Sequence, residues 1–334
     1  MTLRILAAGL LTTVQDAGRP GYQHIGVPVG GAADSFSAQI ANMMVGNESS
    51  AALIECTLGG LRCHVAEDTL IALTGADIDA TVNGQPLPLW RPVWLRRHTT
   101  LMLGRVQRGC RSYLAVAGGI DCASVLGSRS TLMRAGFGGW RGRALQVGDE
   151  LPLARQAERV LSAPAALRNK GTVLLAAKWF VSYWRDLDLH APAMLRLMQG
   201  PDWPALTAAA QQTLVNATFR VHLQSDRMAL RLTGRPLDLR APLEKISAGV
   251  APGAMQLPPS GEPFVLLADC QTTGGYPLVA VVAHTDLARL AQLRPGDTVQ
   301  FVPCTLAQAH RAEVERDARL QEIHNWLLNH DPFN

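Results

Sequence analysis

The chain lacks a Gly-x-x-x-x-Gly-Lys-Ser/Thr loop, which excludes a P-loop nucleotide site at the level of motif. It also lacks Gly-x-Ser-x-Gly: Leu126-Gly127-Ser128-Arg129-Ser130 misses the second glycine, so a nucleophile elbow is absent. Its six cysteines (Cys56, Cys63, Cys110, Cys122, Cys270 and Cys304) form no Cys-x-x-Cys. Several lie in apolar runs and read as reduced core thiols. The nine histidines are scattered, with no pair at helical four-residue spacing, which argues against structural zinc and leaves no metal site to expect. No lysine stands beside a methionine, so the biotin-attachment tetrapeptide is missing; biotin, if used, arrives on a separate carrier. No apolar run reaches the length of a membrane helix. A formal charge of +4 over 334 residues is too small to argue for nucleic acid or a membrane surface. Arg4 followed by Ile5 to Leu11 has the order of a short signal segment, but it runs without a small-x-small site into Thr12-Thr13-Val14-Gln15 and reads as a first strand. A cytoplasmic protein is expected.

What is present is a large apolar core in many short pieces. With 48% hydrophobic residues, 334 residues exceed the usual size of one core and predict two domains. Leu70-Ile71-Ala72-Leu73, Leu101-Met102-Leu103, Tyr113-Leu114-Ala115-Val116 and Val299-Gln300-Phe301-Val302 alternate with Gly, Pro and Asp turns, as strands of a barrel or sandwich do. Asn83-Gly84 is a hairpin signal. Helices are few: Ser37 to Val45 with Asp34 or Ser35 as N-cap, Trp203 to Leu214 opened by Pro204, and Thr305 to Leu328 with a stripe of Val314, Leu320, Ile323 and Leu327. The expected fold is mainly β and rich in β-barrel, with few helices. A first β-rich lobe is expected over 1–155, a polar connector over 154–170, a second lobe over 170–310 and a helix over 305–330. Gly296-Asp297-Thr298-Val299 echoes Gly148-Asp149-Glu150-Leu151, as if each lobe closed with the same turn and strand.

The densest polar cluster is Asp269-Cys270-Gln271-Thr272-Thr273-Gly274-Gly275-Tyr276-Pro277. It stands between the apolar runs Phe264 to Leu267 and Leu278 to Val282, where a sheet ends and a ligand can approach. Its acid, amide and hydroxyls can serve a small planar amide, lactam or urea, or can bond their own backbone in a turn. Gln256 can add another amide, and in Asp226-Arg227 the arginine either neutralises a carboxylate or a developing oxyanion, or the pair forms a salt-bridged strand end. Asp16, Arg19, Asp34, Arg111 and Arg129 can each serve a site or hold a Gly-rich loop by bonds to backbone. Gly30-Gly31 and Gly136-Phe137-Gly138-Gly139 can turn backbone N–H groups towards an anion or simply form turns.

The order Asp269-x-Gln271-Thr272-Thr273-Gly274-Gly275-Tyr276-Pro277 resembles the hallmark of the allophanate hydrolase subunit 2 family, a family of biotin-dependent carboxyltransferase-like proteins. Further blocks follow the family's order: Thr12 to Arg19, Gly26 to Asp34, Glu55-Cys56-Thr57, Leu73 to Asp77, Gly109 to Ile120, Leu126 to Thr131, Ser225 to Met228 and Gln292 to Asp297. They span roughly residues 3 to 310, nearly the whole chain. The resemblance implies a cyclophilin-like β-barrel for the second lobe. Within the family the chain is most like the C subunits of ATP-dependent 5-oxoprolinases, which implies ring opening of the lactam 5-oxo-L-proline to L-glutamate. It also implies partners: an allophanate hydrolase subunit 1-like B subunit and a separate A subunit, with ATP bound somewhere in that complex. Two other family roles stay open, carboxyl transfer from carboxybiotin to urea or a related amide, and non-catalytic binding of a kinase-inhibitor protein. Under the first role Asp269, Gln271, Thr272, Thr273 and Arg227 are the expected catalytic residues. Gln256, Gly274, Gly275, Tyr276, Asp226, Arg129, Arg111 and Asp34 are expected to bind substrate. The chain departs from the family at Cys270, where arginine is common, at Ala254-Met255 in place of Thr-Ile, and at Met228-Ala229-Leu230-Arg231-Leu232. These departures bear on which lactam or amide is used.

Overall fold

The computed structural model describes residues 2–154, 164, 167, 171–182, 187–330 and 333. The chain forms two compact units, one of Met1–Arg19, Asp34–Arg185 and Arg319–Asn334, the other of Pro20–Ala33 and Asp186–Ala318. Most of the connector expected over 154–170 lies outside the described residues. Among those described, no helix is long and apolar enough to cross a membrane.

The first unit holds strands β1 (Thr2–Ala8), β2 (Leu11–Gln15), β3 (Leu53–Thr57), β4 (Leu61–Val65), β5 (Thr69–Val82), β6 (Gln85–Pro86), β7 (Pro92–Leu95), β8 (Thr99–Val116), β9 (Glu150–Pro152) and β10 (Leu174–Ala176), with helix α1 (Ser35–Met44). They form one ten-stranded sheet, ordered β10-β7-β5-β8-β4-β1-β9, with β2 joined to β8 through β3 and β6 on β5. Side-chain alternation sets its inner and outer faces: in β1 Leu3 and Ile5 are buried while Thr2 and Arg4 face water. The second half of β8, from Gly109 to Val116, is buried on both faces, and α1 packs on β5 and β8. Ile5, Ile54, Ile71, Leu73, Leu103 and Leu114 anchor the core, each contributing about 1.5–3 kcal/mol by burial. Asn83 and Gly84 join β5 to β6 with φ of 48° and 82°, the two left-handed residues of the expected tight hairpin. β10 pairs with β7, so Leu174–Ala176, expected in the second lobe, extends the first sheet instead.

The second unit is built on a closed barrel of β11 (Ala193–Gln199), β12 (Phe219–Val221), β13 (Ala229–Thr233), β15 (Ala254–Gln256), β16 (Phe264–Leu266), β18 (Leu278–Val282) and β19 (Thr298–Pro303). Its circular order is β11-β18-β15-β16-β13-β12-β19, closed by the parallel pair β11 and β19. Closure leaves no edge among these seven strands, and Leu195, Leu197, Phe219, Leu232, Met255, Val279 and Phe301 fill the interior. Outside the barrel, β14 (Ala248–Gly249) and β17 (Thr273–Gly274) form a separate ribbon. The helix expected over Trp203 to Leu214 is two elements. A 3-10 turn over Trp203–Ala205 precedes α2 (Ala208–Asn216), whose N-cap Thr207 accepts from the Ala210 N–H at 3.1 Å. A short α3 (Leu287–Ala291) follows β18, and α4 (Leu306–Asn329) contributes residues to each unit.

The Gly-Asp echo is a shared local geometry. In the first unit Gly148 donates to the Ile5 carbonyl at 2.9 Å and Ile5 donates to the Asp149 carbonyl at 2.8 Å. In the second, Gly296 donates to the Val221 carbonyl and Val221 to the Asp297 carbonyl, both at 2.9 Å. Each aspartate also accepts the N–H three residues upstream, from Gln146 at 2.7 Å and from Arg294 at 3.0 Å. A glycine at positive φ followed by an acceptor side chain stabilises the same turn twice.

Candidate functional site

In the second unit the barrel brings four separated stretches to one place. Arg227 precedes β13, Asp269 follows β16, Gln256 ends β15, and Gly30-Gly31 comes from the segment Pro20–Ala33. Arg227 donates from Nε to Asp269 Oδ2 at 2.8 Å and from Nη2 to Oδ1 at 3.0 Å. Its Nη2 also donates to the Gly31 carbonyl at 2.6 Å. The ion pair is buried, with 4% and 10% of the two side chains exposed. Backbone bonds run alongside: Asp269 N–H to the Arg227 carbonyl at 3.0 Å, Leu267 N–H to Met228 at 2.8 Å and Gly30 N–H to Ala268 at 3.2 Å. Gly30 and Gly31 adopt φ of 65° and 88°, a backbone that favours glycine and turns the Gly31 carbonyl to the guanidinium. A two-point fork of this kind fixes orientation as well as charge. Arg227 and Asp269, expected to act on substrate, hold three loops together.

Beyond this lock lies an amide cluster. Gln256 is fully buried; its Nε2 donates to the Tyr276 carbonyl and its Oε1 accepts from Gln271 Nε2, both at 3.4 Å. Such long bonds are weak. Gly274 makes their approach possible, because a Cβ there would stand 2.5 Å from Gln256 Nε2. Thr272 is half-buried and anchored through its carbonyl, which accepts from Val250 N–H at 3.0 Å, whereas Thr273 and Gly275 are exposed. Tyr276 is 47% exposed and meets Phe264 edge to face at 5.9 Å. Cys270 is buried against Ala254 and Leu266, and burial, then the Asp269 charge, pushes its thiol up to about 11. A neutral thiol therefore stands where the family commonly has a guanidinium. Asp226 is exposed and accepts from Met228 N–H at 2.7 Å and Ala229 N–H at 3.2 Å, the geometry of a turn-forming aspartate.

Asp34, Arg111 and Arg129 belong to the first unit and the remaining candidates to the second. Asp34 caps α1, accepting from the Ser37 N–H at 2.9 Å and the Ser37 hydroxyl at 2.6 Å. Its own N–H donates to Tyr113 Oη at 2.8 Å. Arg111 faces Glu55 at 3.8 Å, the two side chains 5% and 1% exposed. Burial first, then the carboxylates of Glu55 and Asp34, drive the Tyr113 phenol well above its ordinary value. Arg129 is exposed and donates Nε to the Cys122 carbonyl at 2.9 Å. Asp16 accepts from Ser128 Oγ at 2.6 Å and Gly18 N–H at 2.8 Å, so it is a loop fastener. Arg19 is buried over the Phe137 ring and bonds the Ser130 carbonyl at 2.5 Å.

Two residues beside the amide cluster escape a reading of the sequence. Asp202 accepts from Lys245 Nζ at 2.6 and 2.8 Å and from the Leu278 N–H at 2.7 Å. The one available signal was scarcity, since lysine occurs only at 170, 178 and 245.

A closed barrel whose rim carries this hallmark loop, in a chain with a second β-rich unit, defines the class. The chain belongs to the carboxyltransferase domain, subdomain A and B, family, whose pattern it matches over residues 25–303. It is 35% identical over 329 residues to the 5-oxoprolinase C subunit of Escherichia coli K12, covering 98% of this chain and 99% of that one. It is 32% identical to a urea amidolyase of Lachancea kluyveri, covering 97% of this chain but only 18% of that protein. The crystal structure of the K. lactis urea amidolyase superposes with a TM-score of 0.85 at 31% identity, over 96% of this chain and 20% of that one.

Proposed function

We propose that the chain is the C subunit of an ATP-dependent 5-oxoprolinase complex that opens the lactam of 5-oxo-L-proline to L-glutamate. The observation that carries this reading is the end-to-end match to a protein of that name, 98% of one chain against 99% of the other. In the urea amidolyases the corresponding region is about a fifth of the protein. The chemistry of the barrel site suits it. A lactam offers one N–H and one carbonyl, and the half-buried Gln271 amide, held by the buried Gln256, with Thr272 and Thr273, provides donors and acceptors for both. Ring opening breaks the C–N bond and adds water across it, and amide resonance is the barrier. Donors directed at the carbonyl oxygen lower that barrier as charge gathers there.

ATP supplies the driving force in such a complex. The Arg227 guanidinium is committed to Asp269 and Gly31, and the chain carries no P-loop. Nucleotide binding is assigned to the assembled complex, with the B and A subunits as partners. The test is omission. Glutamate release from 5-oxoproline by the three mixed subunits requires ATP and this chain; release that persists without this chain refutes the reading.

A second reading, carboxyl transfer to urea or a related amide, is favoured by the family's name and the 0.85 superposition. It requires bicarbonate and a biotinylated carrier on another chain, so avidin distinguishes it by abolishing turnover.

A further inference from the structure

We propose that Asp202 and Lys245 are positioning residues, an ionic latch that holds the β14–β17 ribbon against the Gln256 and Gln271 amides. The inference rests on the assignment of those amides to substrate binding. Lys245 Nζ lies 2.6 and 2.8 Å from the two oxygens of Asp202, and the side chains are 27% and 12% exposed. The same Asp202 carboxylate accepts from the Leu278 N–H at 2.7 Å, and Asp202 N–H donates to the Leu278 carbonyl at 3.1 Å. One carboxylate therefore grips the first residue of β18, where the hallmark loop returns to the barrel, and the segment that leads into β14.

The ribbon needs such a grip. β14 and β17 are two residues each, too short to persist as an isolated pair. Around them Leu243, Glu244, Ile246, Ser247, Ala248 and Gly249 are all exposed, so burial contributes little to holding them. What the ribbon holds is specific. Gly274 of β17 lies directly against the Gln256 amide, and Gly275 lies under Ser247 and the Lys245 carbonyl. Gln256 is fully covered, so the placement of this ribbon decides where its amide, and the Gln271 amide bonded to it, are held. Half-buried ion pairs with both carboxylate oxygens engaged give orientation more than net stability.

The experiment compares wild type, Lys245→Met and Lys245→Arg in two measurements. Hydrogen exchange on the chain alone reads the amides of Ala248, Val250 and Gly274, and steady-state kinetics on the full complex read KM and kcat for 5-oxoproline. The expected result is faster exchange at these amides in Lys245→Met with unchanged exchange in β15 and β16. KM should rise about tenfold with kcat within about twofold, as for loss of uniform binding, and Lys245→Arg should restore both. Unchanged exchange in Lys245→Met overturns the latch. Faster exchange with unaltered KM overturns its positioning role. A wild-type complex without turnover refutes the oxoprolinase assignment instead, and exchange then decides the latch by itself.

Discussion

A β-carbon at Gly274 would stand 2.5 Å from Gln256 Nε2, whereas one at Gly275 would meet nothing nearer than Ser247 Oγ at 3.5 Å. The two neighbouring glycines should therefore respond differently. Gly274→Ala is expected to turn the Gln256 amide aside and raise KM severalfold while the thermal midpoint moves little, since the obstructing atom ends a side chain. Gly275→Ala is expected to match wild type in both measurements. Arg227→Ala belongs to another category of change. It leaves the Asp269 carboxylate buried without its fork, a loss of about 3–5 kcal/mol to be read as a lower urea midpoint. Arg227→Lys should recover only part of it, because an ammonium cannot span both carboxylate oxygens. In the first unit, hydrogen bonds from the Arg143 guanidinium hold the Asp149 carboxyl at about 2, below its ordinary 3.8. Its folded value is depressed, so its contribution is complete above about pH 4 and is lost as the pH falls towards 2. At most about 2.5 kcal/mol is involved, and Asp149→Asn should flatten that part of the stability–pH curve.

Among the elements, the Asn83-Gly84 hairpin gives the plainest test of backbone alone. A Cβ on Gly84 would touch nothing within 4 Å, and only its φ of 82° opposes one. Gly84→Ala should then cost about 1 kcal/mol in equilibrium unfolding. Elements governed by neighbouring residues were legible in the sequence. The Asp34 cap of α1, the hairpin and the long terminal helix fall where local patterning places them. Trp203 to Leu214 divides because Thr207, extended at φ −63° and ψ 156°, restarts the helix by capping Ala210. No local period reveals such a restart within an Ala-rich run. Elements governed by distant partners were not legible. The Pro20–Ala33 segment joins the second unit through bonds to residues about 200 positions away, Gly31 to Arg227 and Gly30 to Ala268. The Asp202–Lys245 pair spans 43 positions. The hallmark loop itself stood out, yet its residue types did not tell that Asp269 and Arg227 face each other while Gln271 faces Gln256.

At the scale of the whole molecule, the fold explains why so polar a loop persists on a barrel. Seven strands close on themselves and leave no open edge, so the loop after β16 departs from a rigid rim and its geometry is set by a few side-chain bonds. On the proposed function, lactam recognition falls to Gln271 held by Gln256, and structural holding to the Arg227–Asp269 pair. Steady-state glutamate release from 5-oxoproline, by the assembled complex carrying Gln271→Ala, tests that division most directly. Loss of a neutral hydrogen bond to substrate should lower kcat/KM about tenfold, with the variant's unfolding midpoint and its assembly with the other subunits unchanged. A Gln271→Ala complex that turns over 5-oxoproline like wild type would contradict the account and move recognition of the lactam away from this loop.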